Sequence, residues 1–370
     1  MGDIFYIFAF FYRWIVFPIM VAAFKILGLF NKKIAQGLLK RKKQNGVAPW
    51  LNFKDLSGAI LIHCASGEFE YAKAVIREIK SKKPAQKVVV TYFSPTYEKQ
   101  IQTFDGVDFS CPLPWDYPAI QKEFLEKLKP SQILIARTDL WPEFLIQAKS
   151  LNIPTTLFSA TLSEKSAKLQ NPVLKKYSQW IYKNLDRIFC VTDEDQKNFA
   201  NLIDPHRVTA IGDTRYDQVV YRLSNPRKLK DELKPIFPAL VIGSSWAENE
   251  AVLIPIFKNL IQNGVGILVA PHEPTPTHIE SLKKQCDQLN LSYTLYSEAK
   301  SWSQSQILIV NQVGILADLY AWGAWAFVGG SFKKSVHSVM EPLGQGCMTF
   351  FGPYHTNNRE AIEFQKYHDC

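Results

Sequence analysis

Gly58-Ala59-Ile60-Leu61-Ile62-His63-Cys64-Ala65-Ser66-Gly67-Glu68 decides the fold of this chain. An unbroken apolar run ends in small residues and a carboxylate, and a helical pattern follows at 71–80. A strand that is apolar throughout, rather than alternating, suits a sheet covered on both faces. The turn after such a strand lies at the rim of an α/β sheet, where ligands bind, so Glu68 is a candidate general base. A second reading stays open on these residues alone: Ser66 caps the helix and Glu68 complements the positive end of its dipole.

The same rhythm continues outward from this segment. Strands are expected at 60–63, 87–92, 132–136, 155–158 and 187–191, with helices between them, including 71–80 and 119–128. Strands alternating with helices mean βαβ units and a parallel sheet. The text then turns polar and carries Pro226, Pro235 and Pro238, which places an interdomain linker at 221–238. A second series at 239–242, 266–270, 306–310 and 325–328 predicts a second Rossmann-like domain. The domains are therefore expected at 44–220 and 239–370. A chain of 370 residues with 47% hydrophobic and 21% charged content is long enough for two such cores.

The second domain carries its own signals just after strands. Gly243-Ser244-Ser245 precedes Glu248-Asn249-Glu250, and Gly329-Gly330-Ser331 follows Ala326-Phe327-Val328. Small residues there let backbone N–H groups approach a phosphate, and a turn needing positive φ explains them equally well. His337-Ser338-Val339-Met340-Glu341-Pro342 places an acid at a helix start, where it hydrogen-bonds a ribose or sugar hydroxyl or simply caps the helix.

Residues 4–30 are almost wholly apolar and aromatic, interrupted by Arg13, Pro18, Lys25 and Gly28. The start Met1-Gly2-Asp3 lacks the basic region of a signal peptide, and Lys32, Lys33, Lys40, Arg41, Lys42 and Lys43 follow, cations that belong on the cytoplasmic side of a membrane. Residues 1–30 are expected to anchor the chain, either as a tilted single span or as a helix in the interface. A buried core helix fits the density of Phe, Tyr and Trp less well. The net charge of +9 suggests an anionic partner: a phosphorylated lipid, a nucleotide, a membrane surface or nucleic acid. Six scattered cysteines with no metal-ligand spacing suggest a reducing compartment and no structural zinc.

Further segments join these: Val90-Thr91-Tyr92-Phe93-Ser94-Pro95-Thr96, Leu113-Pro114-Trp115-Asp116, Thr138-Asp139-Leu140-Trp141-Pro142-Glu143, Ser159-Ala160-Thr161-Leu162-Ser163-Glu164, Gly212-Asp213-Thr214-Arg215-Tyr216-Asp217, Ala270-Pro271-His272-Glu273 and Phe351-Gly352-Pro353-Tyr354. In this order they resemble the 3-deoxy-D-manno-octulosonic acid (Kdo) transferases of lipopolysaccharide synthesis. The resemblance implies a GT-B glycosyltransferase: two Rossmann-like domains facing across a cleft, the first binding acceptor lipid and the second the donor. It implies transfer of Kdo from CMP-Kdo to lipid A precursor, inverting, with no metal or cofactor, at the cytoplasmic face of the inner membrane and with no nucleic-acid partner. It places the general base on Glu68 and the leaving CMP phosphate near Arg215, Ser244 and the amides of Gly330 and Ser331. Ser66, Gly67, Ser245, Gly329 and His337 join the substrate and nucleotide set, and Glu341 holds the nucleotide end.

The departures bear on the anion contacts. The family commonly has one more residue between Ser66 and Gly67, arginine at Thr161, asparagine at Ser338 and often Pro-Arg-His at Pro271-His272-Glu273. It usually continues past the equivalent of Phe364 with another strand and helices, so a truncated second domain is expected in a chain that stops at Cys370. Two alternatives stay open: a GT-B transferase with another activated sugar and lipid acceptor, and a catalytically inactive lipid-binding relative.

Overall fold

In the computed structural model, which describes residues 2–42, 48, 53–333, 335–356 and 358–367, the strands form two fully parallel sheets. The first contains β1 (Ile60–Cys64), β2 (Val88–Tyr92), β3 (Phe109–Pro112), β4 (Gln132–Ala136), β5 (Thr155–Ala160), β6 (Arg187–Cys190) and β7 (Val208–Ala210), in the order β3-β2-β1-β4-β5-β6-β7. The second contains β8 (Ala239–Ser245), β9 (Gly266–Pro271), β10 (Tyr293–Leu295), β11 (Ile307–Ile309), β12 (Trp325–Val328) and β13 (Met348–Phe351), in the order β10-β11-β9-β8-β12-β13. β2, β5 and β9 are buried along their whole length, which is why they read as continuous apolar runs. Separate apolar clusters pack the two faces of each sheet.

Strand order reverses between β1 and β4 in the first sheet and between β8 and β12 in the second, with registers Ile60↔Gln132 and Trp325↔Leu240. At such a reversal the neighbouring loops leave in opposite directions and open a crevice beyond the strand ends. The turn Ala65 to Glu68 leaves one of these points, and Gly329 and Gly330 leave the other.

The chain divides into two units, Met1–Gln218 and Val219–Cys370. The division falls inside the helix Thr214–Ser224, which takes up residues 221–224 of the expected linker. The expected boundaries at 44 and 370, and the side chain of Lys43, lie outside the described residues.

The apolar N-terminus is one continuous helical rod: α-helix at Gly2–Phe11, a π turn at Tyr12–Val16 and α-helix again at Phe17–Phe30. Pro18 has no N–H to give the carbonyl four residues back, and the wider turn lies directly before it. The extra residue in that turn keeps Tyr12 and Phe17 on one face. With Phe8 and Val21 they bury against Trp115, Tyr117, Trp141 and Trp180 of the first unit. Two polar contacts fix this docking. Tyr12 donates to Asp116 Oδ2 at 2.7 Å, and Arg13 pairs with both carboxylate oxygens of the fully buried Glu143 at 2.6 and 3.0 Å. Asp116 also accepts the amides of Glu143 and Phe144, so it caps the helix Pro142–Ser150 from a distant loop, and burial pushes its carboxyl up to about 7. The opposite side of the rod, with Tyr6, Phe10, Trp14, Ile19, Leu29 and Phe30, is exposed. The stretch Tyr6–Phe30 is long and apolar enough to cross a bilayer.

Candidate active site

In the first unit, the rim beyond β1 and β4 gathers two carboxylates. The helix Phe69–Lys82 begins directly after Glu68, and neither Ser66 nor Glu68 makes a side-chain cap to its amides. The Glu68 carboxylate folds back instead, and its Oε2 accepts the amide of Ser66 at 2.8 Å. Its Oε1 accepts no hydrogen bond among the described residues. The backbone thus aims one oxygen and leaves the other available to a ligand. Gly67 lies over the Tyr97 ring, where an added Cβ would sit 3.7 Å away, an ordinary contact.

The second carboxylate is Asp139. The wholly buried His63 of β1 bridges from Thr91 Oγ1 (3.0 Å, to Nδ1) to Asp139 Oδ2 (2.9 Å, to Nε2), and the Trp141 indole donates to the same oxygen at 3.1 Å. Burial pushes the Asp139 carboxyl up, but the His63 hydrogen bond and charge, Trp141 and the Arg41 guanidinium outweigh it and hold it below the usual range. Between the carboxylates, Cys64 has its thiol pushed well up, first by burial and then by the charges of Glu68 and Asp139. It is a packing residue, unsuited to nucleophilic work.

Arg215, at the start of the helix Thr214–Ser224, reaches the same rim. It donates to the Tyr71 phenol at 3.3 Å and lies 5.4 Å from that ring's centroid. Tyr97 registers the neighbourhood: burial, Glu70 and Glu68 push its phenol up, and Arg215 pulls it down. Ser66, Gly67, Glu68 and Arg215 therefore belong to one rim of the first unit, whereas the sequence reading groups Arg215 with Ser244, Gly330 and Ser331 at the leaving phosphate.

In the second unit the expected residues separate into floor and wall. Ser244, His337 and Glu341 line an open pocket of roughly 520 Å³ together with Arg222, Tyr320 and Ser338. Ser338 Oγ is buried there with no hydrogen-bond partner among the described residues. Behind them stand Ser245, Gly329, Gly330 and Ser331. Ser245 donates to the buried Glu250 at 2.6 Å, which His278 holds from the other side at 2.9 Å. Ser331 Oγ donates to Val328 O and accepts from the Gly352 amide.

One expectation is corrected here. The amide of Gly330 is not presented to a phosphate: it is donated to Asn249 Oδ1 at 3.0 Å, and that of Gly329 to Gly243 O at 2.8 Å. The glycines are needed for closeness. A Cβ on Gly329 would lie 2.0 Å from the Ser244 carbonyl oxygen, and Gly330 has φ +84° with Ser335 O only 2.3 Å from where its Cβ would stand.

His337 is organised by an aromatic stack. Its ring lies on His272 at 4.3 Å and 15°, His272 lies on Trp246 at 4.8 Å, and the Trp246 indole donates to His337 Nε2 at 3.1 Å. A nitrogen that accepts from an indole carries no proton, so His337 is neutral with its hydrogen on Nδ1. Burial, and then the neighbouring His272, push its pKa down to about 4.

Asp139, Arg222, Trp246 and Arg137 are absent from the sequence-derived set. For Asp139 the signal existed: it stands three residues past β4, on the far side of the strand-order reversal from Glu68. Arg222 lies within the segment expected to be linker, and its place at the pocket follows from the helix continuing to Ser224.

Two consecutive Rossmann-like units, each with its candidate residues at a switch point, define the GT-B class of fold. The UDP-GlcNAc 2-epimerase of Methanocaldococcus jannaschii shares this fold at TM-score 0.57, with 14% identity over 82% of this chain and 86% of that one. Within this class the chain belongs to the 3-deoxy-D-manno-octulosonic-acid transferase family, whose model matches residues 32–218, just over half of its length. It is 29% identical to the 3-deoxy-D-manno-octulosonic acid transferase of Chlamydia pneumoniae over 68% of this chain and 26% identical to that of Aquifex aeolicus over 85%. These matches span 58% and 82% of the respective relatives.

Proposed function

We propose that this chain transfers Kdo from CMP-Kdo to a lipid A precursor in lipopolysaccharide synthesis, inverting the anomeric centre without a metal or cofactor. The observation that carries this reading is Glu68, tethered through Oε2 by the Ser66 amide at the switch point of a unit that the family match covers, with Oε1 open. A sugar hydroxyl is a weak nucleophile. As its oxygen bonds to the anomeric carbon, its proton passes to Glu68, and the bond to the CMP phosphate breaks with the electron pair leaving on CMP. In the second unit the pocket is read as the CMP site. Arg222 and the Nδ1–H of neutral His337 meet the phosphate, and Glu341 accepts from ribose hydroxyls.

The protein is read as lying on the cytoplasmic face of the inner membrane. The N-terminal rod is docked on the first unit by one stripe while its other side is apolar and exposed, which favours a helix in the interface over a span. Lys32 and Lys33 follow it and suit anionic headgroups, while Lys40 is paired with Glu98. The test is incubation of the detergent-solubilised protein with CMP-Kdo, generated in place, and tetra-acylated lipid A precursor. Mass spectrometry should show the lipid gaining one or more Kdo units. No gain, beside a transferase control that is active, refutes the reading.

A further inference from the structure

Tyr320 lines the second unit's pocket beside Ser244 and Glu341, and the proposed reaction leaves it without a task. It opens the short 3-10 turn Tyr320–Trp322, and its carbonyl accepts from the Gly323 amide at 3.0 Å and the Cys347 thiol at 3.1 Å. The ring belongs to the apolar cluster on one face of the second sheet, with Val241, Leu319 and Ala326, and the side chain is 3% exposed. Its phenol oxygen stands over Gly243 in β8, where an added Cβ would collide with it. The glycine of Gly243-Ser244-Ser245 thus makes room for this phenol.

The hydroxyl makes no hydrogen bond among the described residues, although buried polar groups are nearly always paired. Burial, and then the charges of Glu341 and Cys347, push the phenol well above its usual range, so it keeps its proton and can donate. Glu341 lines the same pocket, its charge is felt at the phenol, and its carboxylate also accepts no hydrogen bond among the described residues. One side chain therefore offers a donor and the other only acceptors. A phosphate oxygen would suit the phenol but be repelled by Glu341, and an amino group would suit Glu341 but leave the phenol unmet. The ligand group that completes both is a hydroxyl, which accepts one hydrogen bond and donates another. With the phosphate assigned to Arg222 and His337, that hydroxyl belongs to the ribose.

We propose that Tyr320 is a specificity-determining residue of the nucleotide pocket: its hydroxyl donates to a ribose hydroxyl that in turn donates to Glu341, so that the two select a ribonucleotide over its deoxy forms. This rests on the reading of that pocket as the CMP site. The test is calorimetry on the full-length protein in detergent, parent and Tyr320→Phe, with CMP, 2′-deoxy-CMP and 3′-deoxy-CMP. Phenylalanine keeps the ring in its cluster and removes only a buried hydroxyl without a partner, so Tyr320→Phe should melt at or above the parent temperature, opposite to the effect of lost packing. CMP should bind the parent at least about tenfold more tightly than one of the two deoxy analogues, because the missing hydroxyl leaves both Tyr320 and Glu341 unpaired. In Tyr320→Phe, CMP affinity should fall about three- to tenfold while that analogue binds no more weakly than to the parent, so the gap narrows. Equal CMP affinity in the two proteins, or equal losses on CMP and both analogues, overturns the assignment. A parent that binds no CMP refutes the donor reading instead. The ribose contact is then judged by the same criterion on UMP, AMP and GMP with their deoxy forms, and failure of all of them to bind overturns it as well.

Discussion

Glu68→Gln separates a catalytic carboxylate from a local structural one. In the parent, Oε2 accepts the Ser66 amide at 2.8 Å and Oε1 accepts no hydrogen bond among the described residues. Glutamine keeps the first contact through its own carbonyl oxygen and turns an NH2 group to the open side. The turn therefore survives, at a cost near the 0.3–1 kcal/mol that a helix-dipole or weak local partner is worth. The acceptor hydroxyl, however, now meets a donor where it needs a base, and transfer should slow by about 100-fold or more, roughly 2.7 kcal/mol of barrier. The assay is the initial rate of Kdo transfer at saturating CMP-Kdo, with melting temperature and calorimetric CMP affinity measured on the same preparation. A Gln variant that folds, binds CMP like the parent and transfers Kdo at near the parent rate would show that Glu68 is not the base, and the mechanism would fall with it.

Three other outcomes are expected. His337 has a folded pKa near 4, against about 6.5 for an ordinary histidine, so the unfolded chain takes up a proton across that window that the folded ring refuses. Stability is complete above about 6.5 and lost as pH falls toward 4, by roughly 1–2 kcal/mol once partial exposure is allowed for; Trp246→Phe frees Nε2 and should move the His337 titration up in NMR, and an unmoved titration refutes the assigned tautomer. Glu341→Ala should weaken CMP binding by about 1.5–3 kcal/mol, and equal calorimetric affinities would remove Glu341 from the pocket. Replacing exposed Phe10 and Trp14 by Ser should weaken binding to anionic lipid vesicles by roughly 1.5–3 kcal/mol per side chain with little change in melting, whereas deleting residues 1–30 also uncovers Trp180 and leaves the buried Glu143 unpaired; vesicle binding unaffected by both serines would dismiss the exposed face as a membrane contact.

Nine strands were legible from apolar runs, and the four that were not are β3, β7, β10 and β13, the edges of the two sheets. An edge strand pairs on one side only and needs neither length nor apolarity on both faces, so segments of three or four residues such as Val208–Ala210 carry little pattern. The Ser66-Gly67-Glu68 turn was legible because a strand, a small-residue break and a helix follow one another locally. Asp139 was not singled out, since its importance comes from its bond to His63, which Thr91 holds in turn, and these two lie on other segments of the chain. The glycine pair after β12 was legible as a tight place, but the use of its amides was not, because Asn249 stands 81 residues away from Gly330.

The amino-acid sequence alone determined two βα series, the apolar N-terminal rod and the rim positions of Glu68 and Glu341, because strand, helix and turn propensities act over a few residues. The tertiary structure alone decided that Pro18 and its π turn bring Tyr12 and Phe17 onto one docking face, that Glu68 is tethered by an amide and not spent on a helix cap, and that Arg137 and Arg215 meet at one phenol. Each of these depends on groups distant in sequence competing for the same hydrogen bond or the same buried space, and only folding settles which partner wins.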